Sequence, residues 1–208
     1  MKSKLLSIAL VLLLLIAGLM QISAVVHDRQ TYRQIAIQGV AQSLAGAQTL
    51  TGPLIHMSCT EEWDLKVDKE VRAERREFLM VAAPALLSVK GNSQLEPRAR
   101  GLHATQVFSL KAQLVAQWTD TEALKPTALH AGSRMNCGQP LLMIAVSDAR
   151  GIRHASVRIG EQTLPLKPGT FFGNYPRGVH APLPPALMRA MPLEAQFELE
   201  LVGTESIS

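Results

Sequence analysis

The side chains able to do chemistry are few and scattered. Six histidines, His27, His56, His103, His130, His154 and His180, show none of the i, i+2 or i, i+4 pairing that metal sites on strands and helices use, so no metal ligands are expected. The two cysteines, Cys59 and Cys137, have no CxxC spacing, no neighbouring histidine at ligand spacing and no obvious general base. Redox, zinc and thiol catalysis are disfavoured, and a structural disulfide and a pair of buried thiols both stay open. G-x-S-x-G, P-loop and G-x-G-x-x-G patterns are missing, so nucleophile-elbow and nucleotide-cradling mechanisms lack their sequence requirement. Catalytic and cofactor-binding residues are accordingly expected to be none, and no cofactor is implied.

Two charged clusters remain. In Ser147-Asp148-Ala149-Arg150-Gly151-Ile152, which directly follows the apolar run Leu141 to Val146, the carboxylate and guanidinium stand two apart at a strand end where Gly151 lets the backbone turn. The cluster reads either as a ligand-orienting ion pair or as a turn whose Asp148 takes backbone hydrogen bonds while Arg150 locks the loop; the second is preferred. Glu96, Arg98, Arg100 and His103 around Gly101 could meet anionic headgroups, but spaced charges of this kind more often form a solvated strand face.

The elements that must position these residues begin with Leu5 to Val26, 22 residues without a charge. At 1.5 Å per residue this covers the roughly 30 Å hydrocarbon core of a bilayer. A cleaved signal is the rival reading, but its best site, Ile22-Ser23-Ala24, has a bulky residue where a small one is preferred. Lys2 and Lys4 keep residues 1–4 in the cytoplasm, so the remainder is exported. Without those two lysines the chain holds 19 basic against 17 acidic residues, too weak a bias for nucleic acid.

Tyr32 to Ala47 has apolar residues at helical spacing and predicts a juxtamembrane helix, so residues 27–51 are read as that helix plus a linker. Thr51-Gly52-Pro53 then turns the chain into an extended run. Strands are predicted at Leu54 to Thr60, continuing through Val67, and at Val71 to Ala83 after a polar turn at Asp68 to Glu70. The charge-dense stretch Glu61 to Glu77 reads as a solvated arm with cross-strand pairs. Val107 to Trp118 alternates cleanly, Leu141 to Val146 suits a strand buried on both faces, and Val157 to Leu166 spells a hairpin around Gly160-Glu161. Pro168-Gly169 closes it, a short helix fits Pro185 to Arg189, and Phe197 to Gly203 is the last strand. The expected fold is mainly β with minor α: one transmembrane helix, a juxtamembrane helix, then an antiparallel β-sandwich-like domain over 52–208.

The same segments resemble the CreD family of bacterial inner-membrane, cell-envelope-integrity proteins. The resemblance rests on the amino-terminal span, Gly52-Pro53-Leu54-Ile55, Glu96-x-Arg98-x-Arg100-Gly101 and Ser147-Asp148-Ala149-Arg150-Gly151-Ile152. It continues through Pro168-Gly169, Gly178-Val179-His180 with Leu183, and Phe197-x-Leu199-x-Leu201-x-Gly203-Thr204. It implies a single-pass placement in the inner membrane with the domain periplasmic, and production that accompanies envelope stress and a sensor-kinase response linked to β-lactams and colicin tolerance. It carries no catalytic residue across. Family members continue beyond the Gly203-Thr204 region with more exported sequence and further spans, so this chain reads as the front of a longer protein or as a short form. The expected function is a non-enzymatic envelope-integrity protein whose partners are the lipid bilayer and another inner-membrane or periplasmic protein. Two alternatives stand beside it: a periplasmic enzyme on a cell-wall or lipid substrate, with Asp148, Arg150 and His180 converging in a cleft, and a regulatory partner of a membrane sensor kinase.

Overall fold

No proline interrupts the chain between Lys2 and Ser43, and a lone glycine such as Gly39 costs a helix only about 1 kcal/mol. The computed structural model, which describes residues 2–43, 45–67, 70–100, 103–189, 191–204 and 206–208, accordingly shows one unbroken helix, α1, over Lys2–Ser43. The juxtamembrane helix predicted over Tyr32 to Ala47 is therefore no separate element: up to Ser43 it is the last part of α1, which is about 60 Å long at 1.5 Å per residue, and Ala45 to Ala47 are not helical. Its stretch Leu12–Ile35 is long and apolar enough to cross a membrane and none of it is buried against the rest of the protein. The predicted span Leu5 to Val26 is helical throughout.

Eleven strands follow in the order β1 (Leu50–Val67), β2 (Glu70–Ala82), β3 (Leu86–Arg100), β4 (His103–Trp118), β5 (Arg134–Cys137), β6 (Leu141–Val146), β7 (Ile152–Ile159), β8 (Gln162–Leu164), β9 (Lys167–Pro168), β10 (Gly178–Pro182) and β11 (Leu193–Thr204). A second helix, α2, occupies Pro185–Arg189 as its sequence suggested. One sheet runs β2-β1-β6-β10-β9, with β5 also on β1; the other runs β3-β4-β11-β7-β8. Every ladder between these strands is antiparallel.

The sandwich follows from period-two patterning. Along β11, Leu193, Ala195, Phe197, Leu199 and Leu201 point inward, and the matching face of β4 supplies Phe108, Ala112, Leu114, Ala116 and Trp118. From the other sheet come Ile55, Met57, Leu142 and Ile144. Alternation buries one face per strand; β6, apolar at every position, is buried on both. Trp118 donates its indole N–H to Ala82 O at 3.1 Å, which satisfies the one polar atom of the largest buried side chain.

Several expectations are corrected. Thr51-Gly52-Pro53 is not a turn before a strand: β1 starts at Leu50, and the pair makes a bulge, the register on β6 shifting between Thr51 and Leu54. Gly52 has φ +104°, open to glycine at little cost. The solvated strand face expected around Glu96 to Arg100 belongs to a longer strand than the sequence suggested: β3 starts at Leu86 and pairs along its whole length with β4. The Glu61 to Glu77 arm is not uniformly solvated either, because Glu61 is fully buried. Its Oε1 accepts from Leu129 N (2.8 Å), His130 N (2.9 Å) and Ser133 Oγ (2.8 Å), and its Oε2 lies 2.9 Å from Arg76 Nη2. Burial pushes this carboxyl up, but the donors from His130, Ser133 and Leu129 and the Arg76 charge outweigh it and hold it at about 2. Trp63 stacks on the His130 ring at 3.8 Å, and Cys59, opposite Cys137 in the β1–β5 register, is disulfide-bonded to it. These contacts clamp the 119–133 loop onto the hairpin. Asp68 of the predicted turn and Gly101 lie outside the described residues.

Candidate functional site

Where β6 ends, Ser147 is held by the chain emerging from α1. Its Oγ donates to Ala47 O (2.8 Å) and accepts from Thr49 N (3.0 Å), and its own N–H donates to Thr49 O (3.1 Å). Gln48, buried although polar, donates Nε2–H to Asp148 O (3.1 Å) and accepts from Asp148 N (3.4 Å). The main chain of Gln48 is taken up as well, donating to Ser206 O (2.9 Å) and accepting from Ser208 N (2.9 Å). Thr204 closes the ring with its N–H on Gly46 O and its hydroxyl on Ala45 O, both at 3.2 Å. A residue that would be an orphaned polar group elsewhere is here fully satisfied.

The glycines of this joint are there because nothing larger fits. A Cβ on Gly151 would lie 2.5 Å from Gln48 Nε2 and from Val202 O; on Gly203, 2.6 Å from Phe108 Cζ and 2.7 Å from Gly46 O. Gly178, where the 169–177 loop enters β10, has φ +142°, and a Cβ there would meet Ile144 O at 2.1 Å. Beside it Arg177 donates from Nη1 to Ser147 O (2.9 Å). The motif residues Ser147, Asp148, Gly151 and Gly203 thus meet in one place, the seam between both sheets and the segment Ala45 to Thr49 that follows α1. Gly52 and Pro53 sit on the adjacent bulge of β1.

Asp148 and Arg150 pair within the turn, and the Gly46 backbone also bonds to the Asp148 carboxyl. Asp148 Oδ1 accepts Arg150 N (3.1 Å) and Nε (3.0 Å), and Oδ2 takes Nη2 at 2.6 Å. The Arg150 side chain, and secondarily its backbone N–H and charge, hold the Asp148 carboxyl below its ordinary range against the opposing effect of burial. His180 does not join them: buried on β10, it donates Nδ1–H to Gly169 O (2.8 Å). The catalytic cleft in which Asp148, Arg150 and His180 would converge is not formed. Instead His180 works beside His56, a residue that sequence reasoning passed over, which donates Nε2–H to the next carbonyl, Thr170 O, also at 2.8 Å.

Of the other charged cluster, Glu96 and Arg98 stay on the surface. Arg98 pairs with Glu96 at 3.2 Å, both exposed, and Arg100 faces His103 in the β3–β4 register. An open groove of about 540 Å³ on the outer face of the second sheet is lined by Lys90, Lys111, His154, Glu198 and Glu200, and by none of the joint residues. Among the described residues no group of three or more His, Cys, Asp or Glu could hold a metal ion.

The family model described as Inner membrane protein CreD matches residues 1–208. The Inner membrane protein CreD of Escherichia coli (strain K12) is 32% identical over 197 residues, covering 94% of this chain and 43% of that protein. The chain therefore spans less than half the length of the curated relative it matches. Among solved structures, the secretin InvG of the Salmonella SPI-1 type III secretion injectisome aligns over 85% of this chain and 69% of its own at 6% identity, with a TM-score of 0.11. The open-gate form of that secretin aligns over 80% and 61% at 10% identity, with a TM-score of 0.08. Likenesses of that size carry no argument.

Proposed function

Because the chain belongs to the CreD family of inner membrane proteins, we propose that it is a non-enzymatic envelope-integrity protein: residues 1–4 in the cytoplasm, Leu5 to Val26 across the bilayer, and the sandwich in the periplasm, where it binds another envelope protein. The observation that supports this reading is the use made of the motif residues. Ser147, Asp148, Gly151 and Gly203 bond to backbone or pack against it at the seam with the segment that follows α1, and none presents a free reactive atom to a cleft. A constellation of this type transmits position from helix to domain; it does not turn over a substrate. The amino-terminal lysines and the charge-free run support the orientation.

The test is complementation of a host strain lacking the gene, scored by survival under detergent and β-lactam stress. Full-length protein restores tolerance. A Gln48→Ala/Ser147→Ala variant, checked by membrane fractionation and protease resistance to be inserted and folded, restores much less. Full restoration by that variant, or by a sandwich freed from the helix, overturns the coupling role. Turnover of a cell-wall or lipid substrate by the sandwich overturns the non-enzymatic reading, and digestion of the domain only after the inner membrane is breached overturns the orientation.

A further inference from the structure

We infer that His56 and His180 form a latch that holds the aromatic loop 169–177 against the sheet at neutral pH and releases it on acidification. The two imidazoles stand on β1 and β10, on either side of β6, and their N–H groups end on consecutive carbonyls of the loop, Thr170 O and Gly169 O, both at 2.8 Å. A carbonyl only accepts, so each ring must supply the proton. That places a proton on His56 Nε2 and on His180 Nδ1.

These two bonds tie the loop to β1 and β10, while its own backbone closes it through Gly169 N on Gly178 O, Thr170 N on Pro176 O and Tyr175 N on Phe172 O. Phe172 packs edge-on against His56 at 5.6 Å between ring centres, and Phe171 does the same against His180 at 4.9 Å. Thr170, fully buried, knots the loop by accepting from Phe172 N and donating to Tyr175 O. Phe171 is held at φ +57°, a conformation bulky side chains avoid, and the residue is 74% exposed. Strain of that kind persists only while the surroundings impose it.

A second proton on His56 has nowhere to go while the loop is closed. It would sit on Nδ1, which is buried and has no partner. Among the described residues, the titratable and charged groups placed by register or ring contact around the pair are the other imidazole, Lys167 opposite His180 on β9, and Tyr175, stacked on Phe172, in the loop. β6 contributes Leu141 and Met143, and β2 contributes Val81, none of which titrates. Burial, and to a smaller extent His180, hold His56 below its ordinary value near 6.5, against the opposing effect of the Thr170 bond. With the folded value lowered, the closed loop has its full stability above that ordinary value and loses it as pH falls, because only the lifted loop lets water reach Nδ1. The latch is a property of the domain alone; its use to sense the pH outside the cell rests on the periplasmic placement proposed above.

Hydrogen exchange of the full chain in detergent, at about pH 7.5 and about pH 5 and corrected for the intrinsic rate at each, reads the latch directly. Protection of 169–177 is expected to drop by about tenfold or more at the lower pH, while 107–118 in β4 keeps its protection. His56→Gln and His180→Asn each place an amide N–H where the ring donor was and cannot titrate, so the double variant holds the loop equally at both values. Unchanged protection of wild-type 169–177, or a loss shared equally by 107–118, overturns the latch, and that comparison needs no variant. An undiminished pH response in a folded double variant, or in either single variant should the double fail to fold, overturns the assignment to these two histidines.

Discussion

At the scale of single residues, the structure separates charges that only decorate the surface from one that holds it together. Arg98–Glu96 and Arg75–Glu77 are exposed pairs of the sort that contribute little. Glu61 is different, because three donors and the Arg76 guanidinium converge on a carboxylate with no access to water. With its pKa depressed from 4.5 to about 2, its contribution is complete above 4.5 and is lost as pH falls from there towards about 2. Melting temperatures taken across that interval should fall for the wild type, and Glu61→Gln should start lower at neutral pH and fall less; parallel curves would mean that other carboxylates carry the acid sensitivity. Nothing in the sequence marked Glu61 out among its charged neighbours. Its role depends on the N–H groups of Leu129 and His130, which reach it from 68 and 69 residues away. Asp148 was legible as a turn acceptor because its partner is two residues along the chain.

At the scale of elements, legibility tracked whether a strand has an inside. β4, β6, the β7–β8 hairpin and β11 each bury one face or both, and burial writes its period into the residues. β3 does not: from Leu86 to Arg98 every side chain is exposed, so nothing required LLSVKGNSQLEPR to alternate, and its strand conformation comes from pairing with β4. β10 received no prediction for another reason: five residues bounded by Gly178 and Pro182 are too few to show a period, although β6 and β9 pair with them on either side. The continuity of α1 escaped because the change from apolar to mixed composition after Val26 looks like a boundary, whereas helix propensity does not change there. The register of β4 has a direct check. Phe108 is buried beneath β11, opposite Gly203, so Phe108→Ala should cost about 3 to 5 kcal/mol in a denaturant melt. A loss near zero would place that ring outside the core.

At the scale of the whole molecule, the joint decides what is separable. Ala45 is buried, and from it onward the chain finds its hydrogen-bond partners within the sandwich: Ala45 and Gly46 with Thr204, Ala47 with Ser147, Gln48 with Asp148, Ser206 and Ser208. A chain beginning at Ala45 should therefore fold without the helix, with a melting temperature within a few degrees of the full chain's in detergent. One beginning at Leu50 loses Gln48 and strands the Ser147 turn, and should melt clearly lower; equal melting of the two would deny the joint any energetic role. The stack of Trp63 on His130 has a consequence of another kind. The chain has two tryptophans, and they stand in opposite optical environments. Trp118 is sealed in the core with its N–H on a carbonyl, and so emits to the blue. Trp63 lies face to face with an imidazole at 3.8 Å, close enough for the ring, when charged, to quench it. Opening of the hairpin clamp brightens the emission, and loss of the core shifts it to the red, so one unlabelled fluorescence trace resolves which part of the sandwich gives way first.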